Sequence, residues 1–513
     1  MLTLALLLAA DVVAAPPPPP PPPETPLEKL VQERTLKNGM TWLLVRRPAA
    51  PVFSAYWRVR AGGDDERPGI TGLAHLFEHM AFKGTAAVGT KDWAAEKPIL
   101  EKVAAAGDAL AEERRLGARG DADKLERLSK ELAAAQQAES KLIEKDEWDE
   151  IYSKNGAVGM NATTDKDLTS YFVSFPKNRL ELWARMEASR FAAPVLREFF
   201  SERDVVTQER RMRTETSPGG MLYEQLNAVA FGMGPQAWPV VGTNVDLATL
   251  RLSDALAFYE KYYVPSNAVG SIVGDIDVDA TVALLEQTFG QVPARARPLP
   301  PSAQPWDQTQ AGERIVKVEF DAAPQVIVAW HKPTLPARDD YVFDAIETIL
   351  GEGTTSRLHR SLVIEKRLAA GVGAFGGPCD RLDNLFMISA TPVAPHTAAE
   401  LVSAIDSEIA RLQDKPVTER ELRRVLNHLE ASLARRIATN EGLADTLSFY
   451  QAVADDWRYV ARHEAVLATV TPEDVQRVAR TYFVSRNRTV AELVRPQFGP
   501  SQTAPSGTKG GVK

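Results

Sequence analysis

Cysteine is all but absent: Cys379 is the only one in 513 residues, which excludes an intramolecular disulfide and a Cys-built zinc site, so any metal is expected to be held by His and carboxylates. Histidine is scarce too, at seven, so two that stand close together carry weight. Long basic runs are missing. The 60 basic and 68 acidic residues are scattered along the chain for a net charge of -8, which argues against a nucleic-acid partner. No apolar run approaches the roughly 20 residues that a membrane-spanning helix needs. What is present, 44% hydrophobic and 25% charged residues, suits a folded chain too long for one ordinary core, so two or more domains are expected.

The N-terminus reads as an export signal over residues 1–15, apolar over 1–8 with Val13-Ala14-Ala15 for cleavage, although no Lys or Arg precedes it and Asp11 interrupts it. A Pro-rich spacer, 16–26, follows, and its eight consecutive prolines favour a stiff extended chain. An N-terminal lobe is expected over 27–292, a linker over 293–305, a C-terminal lobe over 306–496 and a disordered tail over 497–513. The two lobes repeat each other faintly. Asp254, Tyr262, Val264 and Asn267 recur as Asp474, Tyr482, Val484 and Asn487, all offset by 220 residues, each set leading from a helix into a β-rich stretch. Within the first lobe, 93–147 turns Ala-rich and charged. Leu125, Leu128, Leu132 and Leu142 form a helical stripe, and a turn at 117–121 divides the segment. This predicts a protruding helical hairpin, inserted into the lobe and dispensable for its chemistry.

The chemistry concentrates in Leu73-Ala74-His75-Leu76-Phe77-Glu78-His79-Met80, with Thr71 as a candidate cap. Four residues apart on a helix, His75 and His79 share one face, so two imidazoles can converge on one cation. Glu78 lies between them, able to approach a water on that cation without ligating it. That is the requirement of zinc-assisted hydrolysis, and His-x-x-Glu-His is the inverted form of the commoner zinc-peptidase helix. A third protein ligand is needed. Glu202 and Glu209, two helical turns apart in the charged segment 199–211, offer a pair on one face, though alone such a pair reads as a solvated surface.

These residues resemble the pitrilysin/insulysin family of inverted zinc metallopeptidases, which includes the mitochondrial processing peptidases. The match extends over most of 29–495, and residues 72–85 are nearly the family's zinc helix letter for letter. Leu36-Lys37-Asn38-Gly39-Met40, Asn161-Ala162-Thr163-Thr164 and Gly351-Glu352-Gly353-Thr354-Thr355 are similar to its other landmarks. The resemblance implies Glu209 as third ligand, Glu202 as the group that orients a ligand histidine, and Asn161 and Ala162 on the edge along which a peptide lies. The family's third ligand follows the zinc helix after roughly 75 residues. Here 129 residues separate His79 from Glu209, and removing the 55 of the hairpin leaves 74.

The implied fold is α/β, of α+β type: two related lobes, each a mixed sheet flanked by helices, together half of a clamshell chamber. The implied activity is zinc-dependent cleavage of peptides or small unfolded polypeptides. One departure stands out. Where the family carries an Arg and a Tyr in the second lobe, this chain has Val363 and Ala370, with Arg360 and Arg367 out of register. A related partner subunit supplying that pair, as a heterodimer, or else self-association, is therefore expected. The rival reading is a non-catalytic peptide-binding or assembly subunit.

Overall fold

The computed structural model describes residues 25–298 and 310–496, so the export signal, most of the spacer, the second half of the linker with the first residues of the C-terminal lobe, and the tail lie outside the described residues. Six strands form the first sheet: β1 (Gln32–Thr35), β2 (Thr41–Arg46), β3 (Val52–Val59), β4 (Val158–Thr164), β5 (Thr169–Pro176) and β6 (Ala268–Gly274), ordered β1-β2-β6-β3-β5-β4. Five form the second: β7 (Arg314–Glu319), β8 (Gln325–Lys332), β9 (Ala369–Gly377), β10 (Asn384–Pro392) and β11 (Arg488–Val494), ordered β7-β11-β8-β10-β9. With β1 set aside the two sheets are the same object. In each, one parallel pair (β2 with β6, β7 with β11) is followed by antiparallel neighbours.

The faint repeat marks equivalent corners. Helices Leu252–Tyr262 and Pro472–Tyr482 each feed the last strand of their sheet through a short turn. The Asn267 amide donates to the carbonyls of Tyr262 (3.0 Å) and Arg60 (3.2 Å), and the Asn487 amide to those of Tyr482 (3.0 Å) and His331 (2.8 Å). Asparagine recurs because the turn leaves two backbone acceptors facing one side chain.

β2 is apolar from Trp42 to Val45 because both its faces are covered there. Trp42 and Leu44 point into the main core with Trp57, Phe77 and Trp183. Leu43 and Val45 point the other way, against Leu443, Leu447 and Trp457 from the C-terminal part of the chain. Leu443 and Leu447 lie on helix Asn440–Ala454, and Trp457 just beyond it. The exchange is reciprocal: helix Pro218–Phe231 from the N-terminal part lays Leu222, Leu226 and Phe231 on Ile327, Ala329 and Leu493 of the second sheet. The lobes are thus interlocked, which their linear boundaries did not suggest. Each such buried Leu or Phe contributes about 1.5–3 kcal/mol.

The insertion forms helices Trp93–Arg115 and Ala122–Glu139, with Leu142 beyond the second. It does not protrude. Val103, Leu110, Leu128 and Leu132 belong to the main core, and Gly107 lies so close to Phe200 that a Cβ there would sit 2.0 Å from the ring. The Arg197–Glu96 ion pair, 1% and 0% exposed, ties the first hairpin helix down. Among the described residues no helix is long and apolar enough to cross a membrane.

Candidate metal centre

Helix Leu73–Met80 is two turns long and anchored by apolar residues on its buried side: Leu73, Ala74, Leu76, Phe77 and Met80 are all at most 1% exposed. Its start is not capped by Thr71, whose hydroxyl donates instead to Asp246 (2.6 Å). The carboxylate of Glu66 takes that role, accepting from the amides of Gly72 (2.8 Å) and Ala74 (2.7 Å). The close approach of Val241 and Gly242 explains the glycine at 72. With φ at +86°, a Cβ there would lie 2.7 Å from the Val241 carbonyl oxygen.

The helix presents His75 and His79 to Glu209, which sits in the last turn of helix Phe199–Arg210 before a π-helical turn, Arg211–Glu215. His75 Nε2 and His79 Nε2 each lie 3.6 Å from Glu209 Oε2. That is too long for a hydrogen bond. It is close to the roughly 3.4 Å that separates two donors about 2.1 Å from one tetrahedral ion. Two imidazole nitrogens and a carboxylate oxygen, with room for a further ligand, are also the right donor set for zinc, so the residues fit the ion.

The surrounding groups hold these donors. Arg213 pairs with the other oxygen of Glu209 (2.6 Å). Glu202 Oε2 faces His79 Nδ1 at 3.4 Å, and Lys83 donates to Glu202 Oε1 (2.5 Å). The Thr164 hydroxyl donates to Glu78 Oε2 (2.5 Å), linking edge strand β4 to the same helix. His75 Nδ1 is buried and has no partner among the described residues, which leaves its ring position to packing alone.

The charges follow from this arrangement. Burial, then the neighbouring His79 and Arg213, pushes His75 down to about 3, so its ring is neutral with a lone pair free. For His79 burial acts in the same sense but is outweighed by the Glu202 hydrogen bond and the nearby carboxylates, which hold it above its ordinary value. A cation between the two rings would displace that proton. Glu78 is raised by burial against the pull of Thr164 and His79.

A cavity of about 570 Å³ opens beside the cluster, lined by Glu78, His79, Asn161, Glu202, Phe82 and Trp148 among others. One wall is the segment 143–149, which contains the end of the insertion and the residues just after it. Asn161 and Ala162 lie on β4, the outermost strand of the first sheet, with its free edge available. Val363 falls in a π-helical turn, His359–Glu365, and Ala370 is exposed on β9. Neither lines the cavity. Arg360 is paired with Glu365, 2.7 Å away.

Sequence reasoning thus brought together His75, Glu78, His79, Glu202 and Glu209, but missed Glu66, Thr164, Lys83 and Arg213. Two of these carried a signal. Lys83 follows His79 at the four-residue spacing, and Thr164 closes the Asn-Ala-Thr-Thr segment.

Comparison with known proteins agrees with this picture. The family described as "Peptidase M16 inactive domain" matches residues 249–429, a stretch that excludes the whole histidine cluster. The chain is 28% identical to the zinc protease PqqE of Helicobacter pylori over 471 residues, covering 90% of this chain and 91% of that protein. The crystal structure of a protease from Helicobacter pylori superposes with a TM-score of 0.75 at 25% identity, covering 91% of this chain and 99% of the other. The periplasmic protease PqqL of Escherichia coli shares the fold, with a TM-score of 0.66 at 15% identity over 91% of this chain and 48% of its own.

Proposed function

This chain belongs to the pitrilysin/insulinase-like family, and we propose that it works as a zinc-dependent endopeptidase with His75, His79 and Glu209 as ligands and Glu78 as the base. The observation that carries the reading is the convergence of both imidazole Nε2 atoms on one oxygen of Glu209. Zinc, when bound, supplies Lewis-acid activation of water and of the scissile carbonyl.

The chain's own residues do the rest. A peptide adds to the free edge of β4, so backbone bonds beside Asn161 and Ala162 set its register. Glu78 takes the proton from the attacking water and passes it to the leaving nitrogen, and Thr164 holds its carboxylate in position. Glu202 keeps the His79 proton on Nδ1, which turns the Nε2 lone pair toward Glu209.

We read the chain as the zinc-bearing half of a heterodimer. Val363 and Ala370 cannot donate side-chain hydrogen bonds, and losing one oxyanion donor typically costs about a hundredfold or more in rate. A related subunit with Arg and Tyr would restore them in trans. Export follows from the N-terminal apolar run. The second reading, a non-catalytic peptide-binding or assembly subunit, is favoured by Val363, Ala370 and the inactive-domain match.

Hydrolysis of an internally quenched peptide separates the two. The zinc-loaded chain together with a related Arg/Tyr-bearing subunit should turn it over, and Glu78→Gln in the same assembly should keep zinc and lose turnover. Wild-type rates in Glu78→Gln would overturn the reading. Inertness of the unaltered assembly toward every peptide offered would favour the second.

A further inference from the structure

Where the lobes meet, a second group of donors lies apart from the histidine cluster. One donor atom from each of Asp64, Asp167 and Cys379 falls within 4.8 Å of the others, and all three residues are buried. Asp64 and Asp167 belong to the first lobe, and Cys379 to the connection between β9 and β10 in the second. We propose that these three residues form a second metal site, suited to zinc or another borderline divalent cation, that clamps the two lobes together.

The strongest observation is Asp64. Its side chain is 0% exposed, and neither carboxylate oxygen has a hydrogen-bond partner among the described residues. A buried carboxyl without a partner costs far more than a paired one. The nearest cation, Lys166 Nζ, is 3.8 Å from Asp64 Oδ1 and already donates to the carbonyls of Pro235 (2.8 Å) and Trp238 (2.5 Å). Burial drives Asp64 up to about 8 even with Lys166 there. The charge count points the same way. The buried side chains of Asp64, Asp65, Glu66 and Asp167 face two cations, Lys166 and Arg381. Ionised carboxylates alone leave two negative charges in excess and the Cys379 thiolate makes three, of which one divalent cation offsets two.

The other donors have capacity to spare. Asp167 accepts from the amides of Asp380 and Arg381 and from Arg381 Nε, three of about four acceptor positions on a carboxylate. The Cys379 thiol donates to the Asp383 carbonyl (3.2 Å), but that oxygen also accepts from Gln236 Nε2 (3.2 Å) and stays satisfied when the thiol ionises. Bonds of about 2.0–2.3 Å to oxygen and sulfur span this spacing with a small closure, and thiolate selects zinc over magnesium or calcium.

This inference is independent of the proposed peptidase site, and the test separates them because only one site contains sulfur. Cobalt(II) in place of zinc gives a near-ultraviolet thiolate-to-metal charge-transfer band, which in this chain can come only from Cys379. The unaltered protein with cobalt(II) should show the band and bind two metal equivalents. Cys379→Ser should abolish the band and lose one equivalent. His79→Ala should keep the band and lose the other. A cobalt-loaded protein with visible ligand-field absorption but no thiolate band would overturn the proposal, as would full metal content in Cys379→Ser.

Discussion

Thr164 Oγ donates to Glu78 Oε2 across 2.5 Å, joining the end of the outermost strand to the carboxylate that the proposed mechanism uses as its base. The bond favours the ionised form of Glu78 and opposes the effect of burial. Removing it should therefore raise the Glu78 pKa. A hydrogen bond to a charged group is worth about 1.5–3 kcal/mol, so the acid limb of the pH–rate profile of Thr164→Val should move up by about one to two pH units. Thr164→Ser should leave the limb in place. An unmoved limb in Thr164→Val would show that Thr164 does not act on the base.

Glu202 stands between His79 Nδ1 and Lys83 Nζ. Loss of such an orienting group typically weakens metal binding about 10–100-fold. Competition with a chromophoric chelator should show that loss in Glu202→Ala, with circular dichroism unchanged. Unaltered affinity would assign Glu202 to the solvated surface.

The insertion is part of the fold. Arg197, 1% exposed, pairs with Glu96 and donates to the carbonyls of Lys83 (2.9 Å) and Thr85 (2.6 Å) beside the metal helix. Breaking a buried pair from one side costs about 3–5 kcal/mol, so Glu96→Ala should unfold at much lower denaturant concentration. Replacing 93–147 with a short link would also bare Phe200 and remove Val103, Leu110, Leu128 and Leu132 from the main core, and that protein should fail to fold. A stable deletion variant with intact metal binding would restore the expectation of a dispensable hairpin.

The repeated asparagines predict matched but unequal losses. Asn267, 2% exposed, should cost about 1–3 kcal/mol when changed to alanine, because the Arg60 carbonyl loses this donor in a dry environment while that of Tyr262 keeps only the Val264 amide. Asn487→Ala should cost less, since that side chain is only partly buried. Thermal melts of the two variants provide the comparison.

The linear order of residues carried the site well because its main donors are local. His75, Glu78 and His79 share two turns of one helix, and Glu202 and Glu209 share another. The lobe repeat was legible for the same reason, as a helix, a turn and a strand in succession. What was hidden depends on long-range packing. An amphipathic helix such as Asn440–Ala454 has an apolar face but nothing in its own sequence that names the sheet it covers. Glu66 lies six residues before Gly72, outside the usual capping positions, so only the folded loop reveals it. The hairpin's leucines announced a buried stripe, but not that Phe200 would fill the space beside Gly107.

The central claim is that His75, His79 and Glu209 hold zinc while Glu78 does not. Zinc content per folded chain tests it most directly, measured side by side for the unaltered protein, Glu78→Gln and His79→Ala. The account predicts an unchanged content in Glu78→Gln and a loss of one equivalent in His79→Ala. Full zinc content in a folded His79→Ala protein would contradict it.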